Sequence, residues 1–320
     1  MKRGCGMKTE FRFPLVCLAA LLLGLTFSCS GREEKGAQSG DKRLNVVVSL
    51  FPLYDFAKHI GGDKVSVALL LPPGVEPHSF EPRPGDMAAL SKASVFIYTN
   101  REMEPWVEDV LKGIKNPRLT VIDSGREILP GERKEKRRGK KQEHDMDPHL
   151  WLDFSLAAKM AQAVRDGLIE KDPANRAFYE RNAGEFRARL DALDRKFRAG
   201  LSDCDKRVFV HGGHFAFGYL ARRYNLDYMA AYGFSPDAEP SPGDLARLSR
   251  TLRQNGLNHI FYEEMIMPRV AETIAKETGA ELLMLHGAHN VSKEDMDRGV
   301  TFMALMEKNL DNLRTGLQCR

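Results

Sequence analysis

Four of the nine histidines stand where a turn could present an imidazole to a ligand. The first, His78, lies in Leu71-Pro72-Pro73-Gly74-Val75-Glu76-Pro77-His78-Ser79-Phe80-Glu81-Pro82-Arg83-Pro84. The apolar, β-branched run 65–71 just upstream reads as a buried strand, and the prolines end it because proline fixes φ and cannot donate to a ladder. A stiff, aperiodic loop at the C-terminal end of a strand is where open α/β sheets bind ligands. His149 follows a proline in Asp147-Pro148-His149-Leu150-Trp151-Leu152-Asp153. His214 occupies a strand-to-helix turn in Val208-Phe209-Val210-His211-Gly212-Gly213-His214-Phe215-Ala216-Phe217-Gly218-Tyr219, and His289 follows the apolar strand Leu282-Leu283-Met284-Leu285.

A lone histidine in such a turn is usually an ordinary polar group, so the set carries the signal rather than any member. Four imidazoles from four distant segments make an all-nitrogen tetrahedron, which suits Zn²⁺. His211 and His214 lie three apart, and either could ligate. His59 falls in a helix and His259 at the start of a strand, so both read as structural, while His286 reads as packed. Glu263 and Glu264, after another strand, would orient an imidazole from behind or sit in solvent. No His-Glu-x-x-His helix, Gly-x-Ser-x-Gly turn or Gly-rich phosphate loop occurs. Four histidines also leave no open position for a zinc-bound water, so an enzyme is not expected.

The elements that must bring these residues together alternate regularly. Strands are expected at 44–50, 65–71, 94–98 and 119–122, with helices at 54–60, 86–92 and 105–113. A helix over 155–170 is followed by a longer one over 173–201, on which Phe178, Phe186, Leu190, Leu193 and Phe197 recur at helical spacing. The alternation then restarts: strands at 207–210, 226–231, 259–262 and 281–285, helices at 215–224, 244–255 and 268–278, and a last helix reaching 317. Short connections between alternating strands and helices imply parallel α/β sheets. The simplest arrangement is two α/β halves joined by the long helix, with the ligand in the cleft between them. The corresponding segments are 44–172, 173–201 and 202–320.

At 320 residues the chain is too long for one ordinary core and suits two domains. It is 42% hydrophobic and 29% charged, with a formal net charge of +4. Much of the positive excess sits in one run, Arg133, Lys134, Lys136, Arg137, Arg138, Lys140 and Lys141, which reads as a solvated loop. A nucleic-acid surface is therefore not implied. Residues 1–29 read as an export signal: Lys2, Arg3, Lys8 and Arg12 precede an apolar stretch too short to span a bilayer comfortably. Ser28-Cys29 at its end suggests processing to a lipoprotein anchored through Cys29, with ordinary signal cleavage as the alternative. Residues 30–43 would form a flexible tether. Cys5 and Cys17 leave with the signal; Cys204 and Cys319 remain, and an oxidising compartment permits a disulfide between them without the sequence placing them in range.

The proline-rich loop of His78, the Asp-Pro-His-Leu-Trp-Leu-Asp segment and His214-Phe215-Ala216-Phe217-Gly218-Tyr219 together resemble the metal-binding solute-binding proteins of ABC transporters, specifically the zinc and manganese uptake family. The resemblance extends from Leu44 to about Leu317. It implies two four-stranded α/β domains bridged by one rigid helix, with the metal held between them. Matching the motifs carries over His78, His149 and His214 as ligands. Members that look manganese-specific carry Glu at the position of His214 and Asp as a fourth ligand; here His289 stands near that Asp, which favours zinc. Many zinc-uptake members have a His-rich loop where this chain is basic and offers only His144. The resemblance implies an exported, monomeric receptor that presents Zn²⁺ to an ABC permease, meeting the membrane only through a lipid anchor. A manganese or iron receptor is the nearest alternative; a surface adhesin, supported only by the basic run, and a zinc hydrolase are the others.

Overall fold

The computed structural model describes residues 43–128, 147–234, 239–265 and 267–320. The export signal, Cys29, residues 30–42 of the tether, and the basic run with His144 lie outside them. Among the described residues, strands β1 (Leu44–Val48), β2 (Val65–Leu69), β3 (Val95–Tyr98) and β4 (Thr120–Asp123) form one sheet; β5 (Val208–His211), β6 (Asp227–Ala230), β7 (His259–Tyr262) and β8 (Glu281–Met284) form a second. Both sheets are wholly parallel, and their orders, β2-β1-β3-β4 and β6-β5-β7-β8, follow the same winding. The helices are α1 (Phe51–Gly61), α2 (Pro84–Lys92), α3 (Val107–Gly113), α4 (Phe154–Lys171), α5 (Arg176–Gly200), α6 (Gly218–Arg223), α7 (Pro242–Asn255), α8 (Arg269–Thr278), α9 (Lys293–Asp297) and α10 (Phe302–Gly316). The expected fold class, two four-stranded parallel α/β units with one long helix between them in sequence, is the one observed.

Local chemistry sets the boundaries. Asp153 caps α4 by accepting from the amides of Ser155 and Leu156, and Ser241 opens α7 through a reciprocal capping box with Asp244. Helix α1 begins at Phe51 rather than at 54, because Pro52 fits the first turn, and it stops at Gly62, whose φ is 51°. The helix expected over 215–224 shortens to α6, since the Phe215 amide donates to Gly233 O and that of Ala216 to His214 O. The last helix divides into α9 and α10 around Gly299, whose φ of 70° interrupts it. The long helix opens with a 3-10 turn at Pro173–Asn175 before α5. Its buried series is Tyr179, Ala183, Phe186, Leu190, Leu193 and Phe197. That series keeps strict three–four spacing, and Phe178, expected on it, lies one residue out of phase; it is half-buried beside Lys64 and Arg181.

One apolar core runs from the first sheet through α1, α4 and α5 into the near face of the second sheet, reaching Phe209, Phe261, Leu285 and Phe302. A smaller cluster, including Val210, Leu248, Ile260 and Ile274, lies between the second sheet and α7 and α8. Phe186 of α5 packs on Phe56 of α1, ring centroids 5.0 Å apart, and Phe56 meets Phe302 of α10 edge-on at 5.4 Å. Cys204 and Cys319 form a disulfide that ties the end of α5 to the end of α10. No helix among the described residues is long and apolar enough to cross a membrane.

Candidate metal centre

Each histidine singled out in the sequence follows the C-terminal end of a strand: His78 after β2, His149 in the segment between β4 and α4, His214 after β5, and His289 after β8. Parallel strands point these connections the same way, so within each sheet residues far apart in sequence share one edge. The four imidazoles form a single cluster whose ligand atoms all lie within 4.8 Å of one another. Ring centroids are 4.8–5.8 Å apart across the six pairs. His214 Nε2 lies 3.3 Å from His149 Nε2 and 3.3 Å from His289 Nε2. A tetrahedron with metal–nitrogen bonds of about 2.0–2.1 Å has edges of about 3.3–3.4 Å, which the two separations from His214 match. His78 Nε2 is buried and has no protein partner. The donor set therefore fits a Zn²⁺ ion.

Carboxylates hold three rings from behind. His149 Nδ1 lies 2.8 Å from Asp147 Oδ1, and His214 Nδ1 bonds to Glu263. Glu264 Oε1 stands 3.7 Å from His289 Nδ1 and 3.3 Å from His286 Nδ1, and its other oxygen accepts from the Gly287 amide at 2.7 Å. Such partners fix the tautomer and turn Nε2 toward a metal. Glu263, one of the two acids proposed for this role, takes it for His214. Asp147 had no role assigned, yet its position two residues before His149 was a usable signal: its Oδ1 also accepts the His149 amide at 3.1 Å, an Asx turn. Of the adjacent candidates, His214 joins the cluster and His211 does not. The His211 ring packs on Phe217 at 5.1 Å and its Nδ1 accepts from Gly213 N. Two glycines are required here: a side chain at Gly287 would strike the His289 ring, and one at Gly213 would strike Glu263 and His211.

Burial, and then the neighbouring imidazoles, hold His149 well below its usual pKa and push His78 down to about 2, so both stay neutral and free to donate a lone pair. Burial also raises Asp147, to about 7. His214 differs. Burial opposes its charge, but Glu263 more than offsets this and holds it above the usual histidine value.

The family model described as zinc-uptake complex component A, periplasmic, matches residues 46–316. The chain is 36% identical over 310 residues to the high-affinity zinc uptake system protein ZnuA of Bacillus subtilis, covering 95% of this chain and 97% of that one. It is 34% identical to the zinc-binding lipoprotein AdcA of Streptococcus pneumoniae and spans 59% of that longer protein's length. The crystal structure of the Zn(II)-bound ZnuA-like domain of AdcA superposes with a TM-score of 0.72 at 33% identity, covering 86% of this chain and 99% of that domain.

Proposed function

For this chain, which belongs to the family of periplasmic zinc-uptake component A, we propose the role of an extracytoplasmic receptor whose cargo is Zn²⁺, bound by His78, His149, His214 and His289 and delivered to an ABC permease. One observation carries this reading: four imidazoles from four distant segments converge with their ligand atoms within 4.8 Å of one another, three of them with a carboxylate behind. Manganese and iron prefer harder or mixed donors and six positions, which an all-nitrogen set of four serves poorly. Hydrolysis would need a coordination position left for water, and four protein ligands fill a tetrahedron, so the chain is read as a carrier without catalysis.

The lobes in this reading are 44–172 and 202–320, with 173–201 as the rigid bar between them. Export, through a signal over 1–29 and with Cys29 as the point of lipid attachment, follows from the reading of the N-terminus. The adhesin alternative rests on the basic run 133–141, outside the described residues, and gains no support from the site.

The test is a metal titration. Residues 30–320 are stripped of metal and titrated with Zn²⁺ and Mn²⁺ against a chromophoric chelator. One tight Zn²⁺ per chain, undisplaced by excess Mn²⁺, is the expected result. Preference for Mn²⁺, or weak binding of both, would refute the zinc assignment.

A further inference from the structure

The segment carrying His289 belongs by sequence to the second sheet, yet it is stitched to the loop carrying His78. Asn290 is 2% exposed. Its Nδ2 donates to Pro72 O at 2.7 Å and to Val75 O at 3.0 Å, and its Oδ1 accepts from the Val291 amide at 2.8 Å. The turn it grips is closed by Val75 N donating to Pro72 O at 3.1 Å, and the next residue, Glu76, accepts the His78 amide at 3.0 Å. Beside it, Gly74 N donates to Val291 O and Phe51 N to His289 O, both at 3.1 Å.

Resting on the zinc-receptor reading, we infer that Asn290 is a positioning residue for the metal: its carboxamide fixes the His78 loop against the His289 backbone, so that two ligands from opposite sheets approach the ion as one unit. The chemistry selects the residue type. A primary amide has two N–H donors for two carbonyls and an acceptor for the following amide. Aspartate would present oxygens to both carbonyls, serine could serve only one, and alanine neither. The side-chain hydrogen bonds of Asn290 go to Pro72, Val75 and Val291, so it acts through the two loops it joins.

The test compares Asn290→Ala, Asn290→Ser and Asn290→Asp with Asn182→Ala, which removes a comparable side-chain bond to Ile60 O far from the site. Zinc affinity is read by chelator competition, coordination by the visible absorption of the Co²⁺ form, and apo stability by thermal melting. Removing an outer partner of a metal site typically weakens binding by about 10–100-fold, and Asn290→Ala is expected in that range with loss of the intense tetrahedral Co²⁺ bands. Asn290→Asp should be at least as impaired and Asn290→Ser intermediate, which keeps the series readable if the alanine variant fails to fold. Asn182→Ala should lower melting while leaving affinity and spectrum as in the parent chain. The inference is overturned if the Asn290 variants bind zinc within about threefold of the parent with the same Co²⁺ spectrum, or if Asn182→Ala loses as much affinity. Absence of zinc and cobalt binding by the parent chain would sink the receptor reading and this inference together.

Discussion

At the scale of single residues, the site places neutral donors and one proton in the same small volume. His78 and His149 are too buried to hold a proton in the working range, whereas Glu263 keeps one on His214 to a higher pH than usual. Zinc must displace that proton. The sign follows: with a raised pKa, His214 is neutral only above that value, so affinity should hold at higher pH and fall as pH drops through it. The loss approaches tenfold per pH unit because one proton competes. Calorimetry in buffers of differing ionisation heat should show roughly one proton released per zinc or fewer near neutrality. Glu263→Gln removes the charge that raises His214, so it should shift this transition to lower pH while weakening the high-pH affinity about 10–100-fold. Affinity that stays flat from pH 7.5 to 5.5 in the parent chain would contradict the account. His78→Ala should lower zinc affinity by orders of magnitude and leave cooperative apo unfolding intact, read by titration and denaturation on the same sample. Loss of folding in that variant would instead make the histidine structural.

At the scale of elements, α5 and the capped start of α4 hold the halves in register. Arg223, the last residue of α6, reaches Asp153 at the N-terminus of α4 at 2.8 Å and pairs with Asp194 of α5 at 2.7 Å. Burial opposes charge on Asp194, but bonds from Arg223, Tyr224 and Arg198 prevail and hold it at about 2. Asp153 is therefore shared between a helix cap and a bridge to the second half. Phe186 is the aromatic link between α5 and α1, fully enclosed against Phe56 and His59. Truncating it to alanine should cost about 3–5 kcal/mol of stability by denaturant titration. Zinc affinity should change far less, because the ring is not in the metal cluster. A variant that folds as stably as the parent would show that the bar does not carry the packing assigned to it.

For the whole molecule, the continuous core and the disulfide act on the same joint. Cys204 and Cys319 are separated by 115 positions, so their bond closes much of the second half into one loop. Chain-entropy reasoning gives about 4–5 kcal/mol for a loop of that length, with smaller values common where the reduced chain keeps residual structure. Melting with and without reductant, or of a Cys204→Ala/Cys319→Ala variant, should show a clear downward shift while zinc affinity in the folded state is retained. The sequence suggested two domains on the ground that one core would not suffice. Among the described residues the larger apolar cluster runs through α5 into the second sheet, and a smaller one lies behind that sheet. Any change of the cleft must therefore work against packed aromatic contacts as well as the seam of hydrogen bonds around Asn290.

Local physics determined a good deal of this protein without coordinates. Apolar runs alternating with helical spacing mark the eight strands, and the Pro- and Gly-marked turns pointed to His78, His149, His289 and one of His211 and His214, with motif resemblance favouring His214. Tertiary structure decided what depends on distance between remote segments. Spacing could not choose between His211 and His214, since both flank the same Gly-Gly turn, and only the fold sends one ring into the cluster and the other against Phe217. Asp147 behind His149, Glu264 between His286 and His289, and the grip of Asn290 on a loop more than two hundred residues earlier are likewise products of the fold. Nor could composition join Cys204 to Cys319: a bond needs two sulfurs within reach, and the ends of α5 and α10 meet only after both helices have packed on the shared core.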